Sequence, residues 1–198
     1  MTEKLLLAFV VFTFVTSITP GPNNLMLLAS GVNHGFVRTL PHIVGISLGL
    51  VLMTVLVGFG LGELLAASPQ VYAVLHYAAV IYLLALAWRI ARSGIVATGA
   101  AARPPMSLLQ AAAFQWVNPK AWVMVTGAVT SYAPRDAFMR NVVVIAVVIA
   151  LIGMPSIAVW AGCGVAVRRW LAAPGRTRAF NVGMALLLVL SLFPMLER

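Results

Sequence analysis

Two short stretches combine helix-breaking and hydrogen-bonding residues in otherwise apolar surroundings: Thr19-Pro20-Gly21-Pro22-Asn23-Asn24 and Asn118-Pro119-Lys120. Each proline lacks an amide hydrogen and its ring clashes with the preceding turn, which breaks a helix at a cost of about 3 kcal/mol or more. In hydrocarbon the freed carbonyls have no water to turn to, so such a break survives only where protein or a wet cavity receives it. The carboxamides of Asn23, Asn24 and Asn118 offer donors and acceptors to a polar ligand, and Lys120 offers a cation. A lysine at the centre of a membrane helix costs roughly 2.5 to 3.5 kcal/mol on insertion scales, so its default reading is functional. The four acidic residues, Glu3, Glu63, Asp136 and Glu197, stand at span ends or termini, and none is placed to neutralise Lys120. Three fates remain for the ammonium: snorkelling along its aliphatic stem, lying against the carbonyls freed between Thr19 and Asn24, or meeting an anionic group on a ligand. A carboxylate suits the third, because half-helix N-termini also favour negative charge.

The elements that must position these residues are membrane spans. Of 198 residues, 62% are hydrophobic and 9% charged, and the mean hydropathy is +1.03, outside the range of a soluble domain. Apolar runs of roughly 20 residues cross a bilayer, and six are present, at about 5–28, 39–62, 70–90, 107–132, 141–166 and 179–196. The expected fold is an all-α integral membrane protein, one helical bundle with no room for a soluble catalytic domain. A cleaved signal peptide over residues 1–30 is disfavoured, since the apolar region is too long and Pro-Gly-Pro-Asn falls inside it.

The first span breaks at Thr19 to Asn24. The fourth reads as two half-helices, Ser107 to Val117 and Ala121 to Tyr132, around Asn118-Pro119-Lys120. Pro20 and Pro119 are 99 residues apart, half the chain. Three spans with a broken first helix make up residues 1–92, a linker follows at 93–106, and three more spans with a broken first helix fill 107–198. An odd number of spans per half predicts two inverted three-helix repeats, and paired broken helices in inverted halves point to a transport site near the midplane. Gly45 and Gly49 in the second span, like Gly58 and Gly62, have the G-x-x-x-G spacing that lets a helix backbone approach closely. These faces serve contacts within one bundle or between copies, which leaves a homo-oligomer open. Pro155, after Gly153-Met154, predicts a kink in the fifth span.

The net charge of +9 raises nucleic acid as a partner, but cations of a membrane protein collect on its cytoplasmic side. With six spans, Lys4, Arg135, Arg140 and Arg198 share one side. Arg38, Arg89, Arg92, Arg103, Arg168, Arg169, Arg176 and Arg178 share the other. Eight against four predicts that both termini lie outside the cytoplasm, with the lipid bilayer as partner and no nucleic acid. The single Cys163 forms no internal disulfide, no metal pattern surrounds it, and beside Gly162 and Gly164 it reads as a small packing residue. With no Ser/His/Asp grouping and no His/acid metal cluster at helical spacing, neither an intramembrane enzyme nor a cofactor is expected. A proton-coupled carrier needs a group titrating near neutral pH. His34, His42 and His76 qualify by type, and His42 and Glu63 are the coupling candidates.

Thr19-Pro20-Gly21-Pro22-Asn23, His34-Gly35-Phe36 and Asn118-Pro119-Lys120 together resemble the LysE/RhtB family of bacterial amino-acid exporters, and the resemblance covers essentially the whole chain. Asn23-Asn24, Gln115-Trp116-Val117-Asn118 and the stretch from Asn181 to Leu190 look most like the branch that exports cysteine and O-acetylserine. Membership implies efflux of small amino acids or derivatives across an inner membrane, driven by the proton gradient. The expected site has Asn23, Asn24 and Asn118 hydrogen-bonding the substrate and Lys120 meeting its carboxylate. Pro20, Gly21, Pro22 and Pro119 hold the breaks open, Gly45 and Gly49 let helices pass closely, and Met26, Trp116 and Trp122 shape selectivity. A passive channel or ion carrier is the alternative, disfavoured for cations by Lys120 and by the lack of intramembrane acids.

Overall fold

A computed structural model describes residues 1–62, 67–92, 104–172 and 174–190, and every regular element among them is helical. Helix α1 (Glu3–Ile18) opens on Thr2, whose hydroxyl accepts from the Leu5 amide at 3.3 Å. It stops where the sequence requires. Thr19, the residue before a proline, is pushed into extended backbone, with φ −64° and ψ 138°. Helix α2 (Pro22–His34) then starts with a proline in its first position, where a missing amide hydrogen costs nothing. The two segments are bent by 56°. Gly35, at φ +81°, turns the chain into α3 (Phe36–Gly58), and a 2.8 Å bond between the Ser30 and Thr39 hydroxyls ties that corner.

Helix α4 covers Pro69–Ala91. Helix α5 (Leu108–Phe114) begins with a reciprocal cap between Ser107 and Gln110 and tightens into a 3-10 turn over Gln115–Val117. Asn118, again preceding a proline, is extended, and α6 (Pro119–Tyr132) starts on Pro119 itself. Pro119 therefore opens the second half-helix instead of lying in the gap. Helices α7 (Phe138–Val148) and α8 (Met154–Arg168) are joined by a π turn over Ile149–Gly153. Pro155 has no amide for the Leu151 carbonyl, and the widened turn absorbs that mismatch. The fifth apolar run is continuous over Phe138–Arg168, and the π turn stands at the place where the Pro155 kink was expected. Helix α9 covers Pro174–Leu190, beginning before the sixth apolar run expected at about 179–196.

Two helices, Phe36–Gly58 and Phe138–Arg168, are each long and apolar enough to cross a membrane, and the bent pair α1–α2 makes a third. Exposed Leu7, Phe14, Leu52, Val123 and Leu151 give the outside the apolar character that lipid requires. Inside, α2 packs most extensively on α8, α3 on α5, and α4 on α9. A Cβ on Gly45 would collide with the Leu108 carbonyl, and one on Gly49 would come 2.8 Å from the Ala112 carbonyl oxygen and the Gln115 Cγ. Both glycines therefore face α5 of the same chain. Gly58 abuts Val142 of α7, whereas a Cβ on Gly62 would, among the described residues, meet Val57 of its own segment at 3.6 Å. Cys163 is exposed on α8, so it does not have the packing role its small neighbours suggested.

Candidate functional site

The break between α1 and α2 leaves backbone carbonyls without helical partners, and those of Ser17, Ile18, Thr19 and Pro20 find donors from elsewhere. Asn24 Nδ2 donates to Ser17 O at 2.7 Å and to Thr19 O at 2.8 Å. Trp160 Nε1, from α8, donates to Ile18 O at 3.1 Å. Lys120 Nζ, from the first turn of α6, donates to Thr19 O at 2.6 Å and to Pro20 O at 3.4 Å. Gly21 O accepts from the Leu25 amide as α2 begins. A hydrogen bond with a charged partner contributes about 1.5 to 3 kcal/mol. One short bond of that kind is on the scale of the roughly 2.5 to 3.5 kcal/mol that a mid-membrane lysine costs. Of the three fates open to its ammonium, Lys120 takes the freed carbonyls.

The second break is organised by Asn118 and Gln115. The Asn118 Oδ1 caps the Lys120 amide at 3.1 Å, which fixes the root of the lysine. Gln115, fully buried, reaches across to the first break in a reciprocal pair. Asn23 Nδ2 donates to Gln115 Oε1 at 2.8 Å, and Gln115 Nε2 donates to Asn23 Oδ1 at 3.2 Å. The same Gln115 Nε2 donates to Ala111 O at 2.8 Å, which sets the orientation of its carboxamide. The two breaks, 99 residues apart in sequence, are therefore in direct contact through Lys120 and through Gln115.

A cavity of about 30 Å3 lies between them. Its polar wall is Thr16, Ser17, Asn23, Asn24, Asn118 and Lys120, and its apolar wall includes Ile46, Leu50, Ala121, Met124 and Ile157. A water needs about 10–15 Å3 by this measure, so the space takes one or two waters and is closed to an amino acid. Gly21 is part of the wall for a steric reason: a Cβ there would come 2.7 Å from Lys120 Cδ and 3.2 Å from its Nζ. The lysine stem crosses the space that the missing side chain leaves.

Other residues singled out by sequence lie elsewhere. The Trp116 ring packs edge-on to Trp122 at 6.0 Å, the Trp116 carbonyl accepts from Trp122 Nε1 at 2.9 Å, and neither ring contributes to the cavity wall. Met26 sits in a separate core with Leu83 and Leu188. His42 is buried, and neither ring nitrogen has a hydrogen-bond partner among the described residues. It stands one helical turn from Ile46, which lines the cavity. Glu63, Arg103, Arg198 and the side chain of His76 lie outside the described residues. Sequence reasoning did not assign a role to Gln115, Trp160, Ser17 or Met124. Gln115 carried one signal, a polar group within an apolar run three residues before the break.

The family described as LysE type translocator matches residues 14–193. The cysteine/O-acetylserine efflux protein of Escherichia coli strain K12 is 35% identical over 190 residues, covering 96% of each chain. The protein of the same description from Shigella sonnei strain Ss046 is similar to the same extent. That of Escherichia coli O6:K15:H31 is 34% identical over 190 residues, again 96% of each chain. No solved structure matches this chain.

Proposed function

The chain belongs to the LysE type translocator family, and from that premise we propose that it is a secondary exporter of small amino acids or their derivatives. It works by alternating access of two inverted three-helix halves in the inner membrane. The observation that carries this reading is the meeting of two broken helices at one cavity, with an ammonium and three carboxamides in its wall. The six spans are α1–α2, α3, α4, α5–α6, α7–α8 and α9. Their contacts support an inverted pairing: the first broken span packs on the fifth span, the second broken span on the second, and the third span on the sixth. Exchanging the two halves maps this set of contacts onto itself, as a pseudo-twofold axis in the membrane plane would.

The relatives described as cysteine/O-acetylserine efflux proteins give the substrate class, a small zwitterion. Its carboxylate meets Lys120 and the N-termini of α2 and α6, whose dipoles favour negative charge. Asn23, Asn24 and Asn118 add hydrogen bonds once the cavity opens. Export is driven by the proton gradient, with His42 as the coupling group. An imidazole buried without a partner among the described residues is costly, and a cycle of proton uptake and release gives that cost a function.

Uptake of labelled cysteine and O-acetylserine into inside-out vesicles tests the proposal. Saturable accumulation that requires an imposed proton gradient is the expected result; unsaturable equilibration would mean a channel and overturn it. His42→Gln should abolish the stimulation by the gradient and leave gradient-free substrate exchange intact.

A further inference from the structure

Lys120 is held at the first break by backbone carbonyls of Thr19 and Pro20. Among the described residues, no acidic one stands in the wall of the cavity. An amino-acid substrate brings a carboxylate, for which Lys120 is the evident partner, and also an ammonium, for which the wall provides no anion. We propose that the Thr19 and Pro20 carbonyls are the subsite for the substrate's ammonium, and that Lys120 fills it with its own ammonium while the transporter is empty. The inference rests on the exporter reading above and deepens it.

Three features of the structure support the exchange. The carbonyls around Pro20 are held without Lys120: Asn24 Nδ2 holds Ser17 O and Thr19 O, Trp160 Nε1 holds Ile18 O, and the Leu25 amide holds Gly21 O. Pro20 O, which Lys120 reaches at 3.4 Å, is flanked by these anchored groups, so the backbone of the subsite stays in place when the lysine leaves. The root of Lys120 is fixed by Asn118 Oδ1, while its stem lies across Gly21, where no side chain obstructs it. A swing about the flexible four-carbon stem can carry the charge off the carbonyls without moving α6. Finally, the two ammonium groups are chemically equivalent donors, each with three N–H bonds and no acceptor. When the substrate carboxylate draws Lys120 away, the substrate ammonium takes its place. One ammonium lies on the carbonyls before and after, so neither the empty nor the loaded state leaves them unpaired.

The substrate can be divided into two probes: cysteamine, which carries the ammonium alone, and β-mercaptopropionate, which carries the carboxylate alone. Calorimetric titration of the full-length protein in lipid nanodiscs should show weak cysteamine binding to the wild type. Saturating β-mercaptopropionate should strengthen it about ten-fold, within the usual range of coupling between sites, because the carboxylate draws Lys120 off the subsite. In Lys120→Met the carbonyls are already vacant. That variant should bind cysteamine more tightly than the wild type by a similar factor, with no further gain from β-mercaptopropionate. Independent binding of the two probes to the wild type would overturn the proposal without reference to the folding of any variant, as would a Lys120→Met protein that binds cysteamine no better. Cooperativity between the probes with no binding of cysteine or O-acetylserine would sustain the subsite and overturn the substrate assignment.

Discussion

Asn23 and Gln115 show how much one side-chain pair decides at this site. Their reciprocal bonds at 2.8 and 3.2 Å join the two breaks and leave the Asn23 carboxamide oriented by Gln115. Removing Gln115 leaves a mostly buried amide without its partner, at a cost of about 1 to 3 kcal/mol. Gln115→Ala should therefore lower the thermal midpoint and also raise the apparent KM for export, since Asn23 loses its orientation. The exchanged pair Asn23→Gln with Gln115→Asn should recover much of the KM. A Gln115→Ala protein with lowered stability but wild-type KM would reduce the pair to a structural tie. The local chemistry of the first break was legible in sequence, because proline and the residue before it act within two or three positions. The partner of Lys120 was not. Nothing along the chain says which carbonyls a flexible four-carbon stem will reach, and contact with Thr19 lies 101 residues away.

Among the helices, the tightest crossings are backbone against backbone. A Cβ on Gly31 would collide with the Ala161 carbonyl, and one on Gly164 with the Leu28 carbonyl, so α2 and α8 are clamped together toward the C-terminal end of α2. Gly162, two residues from Gly164, has open space around it. Gly164→Ala should destabilise the protein by about 1 to 3 kcal/mol, the usual range for overpacking, while Gly162→Ala should leave the thermal midpoint unchanged. Equal midpoints for the two variants would disprove the clamp. The G-x-x-x-G spacing drew attention to Gly45 and Gly49, because a single helix displays that pattern along its own length. Gly164 has no glycine four residues away, and Gly31 has one only in Gly35 at the corner after its helix, so the pairing of Gly31 with Gly164 exists only across the crossing. The π turn before Pro155 was hidden for a related reason. A proline announces a lost amide but not the π turn that accommodates it, and Gly153, the last residue of that turn, lies against α1, where a Cβ would come 3.3 Å from the Ser17 Oγ.

For the whole molecule, the proposal sets both termini outside the cytoplasm, on the argument that eight arginines share the sides of the loops between spans one and two, three and four, and five and six. A periplasm-dependent reporter fused after Arg198 should be active, and a cytoplasm-dependent one silent; the reverse pattern would overturn this placement of the termini. The sequence by itself determined the membrane character, the two breaks and their half-chain spacing. Hydropathy and proline geometry are properties of short segments and act wherever the segment is placed. Tertiary structure alone decided that the breaks touch, that Gln115 clasps Asn23, and that Lys120 spends its charge on the carbonyls of Thr19 and Pro20. Each of these is a contact between residues about a hundred positions apart, and contacts at that separation follow from how the helices cross, which no local pattern encodes.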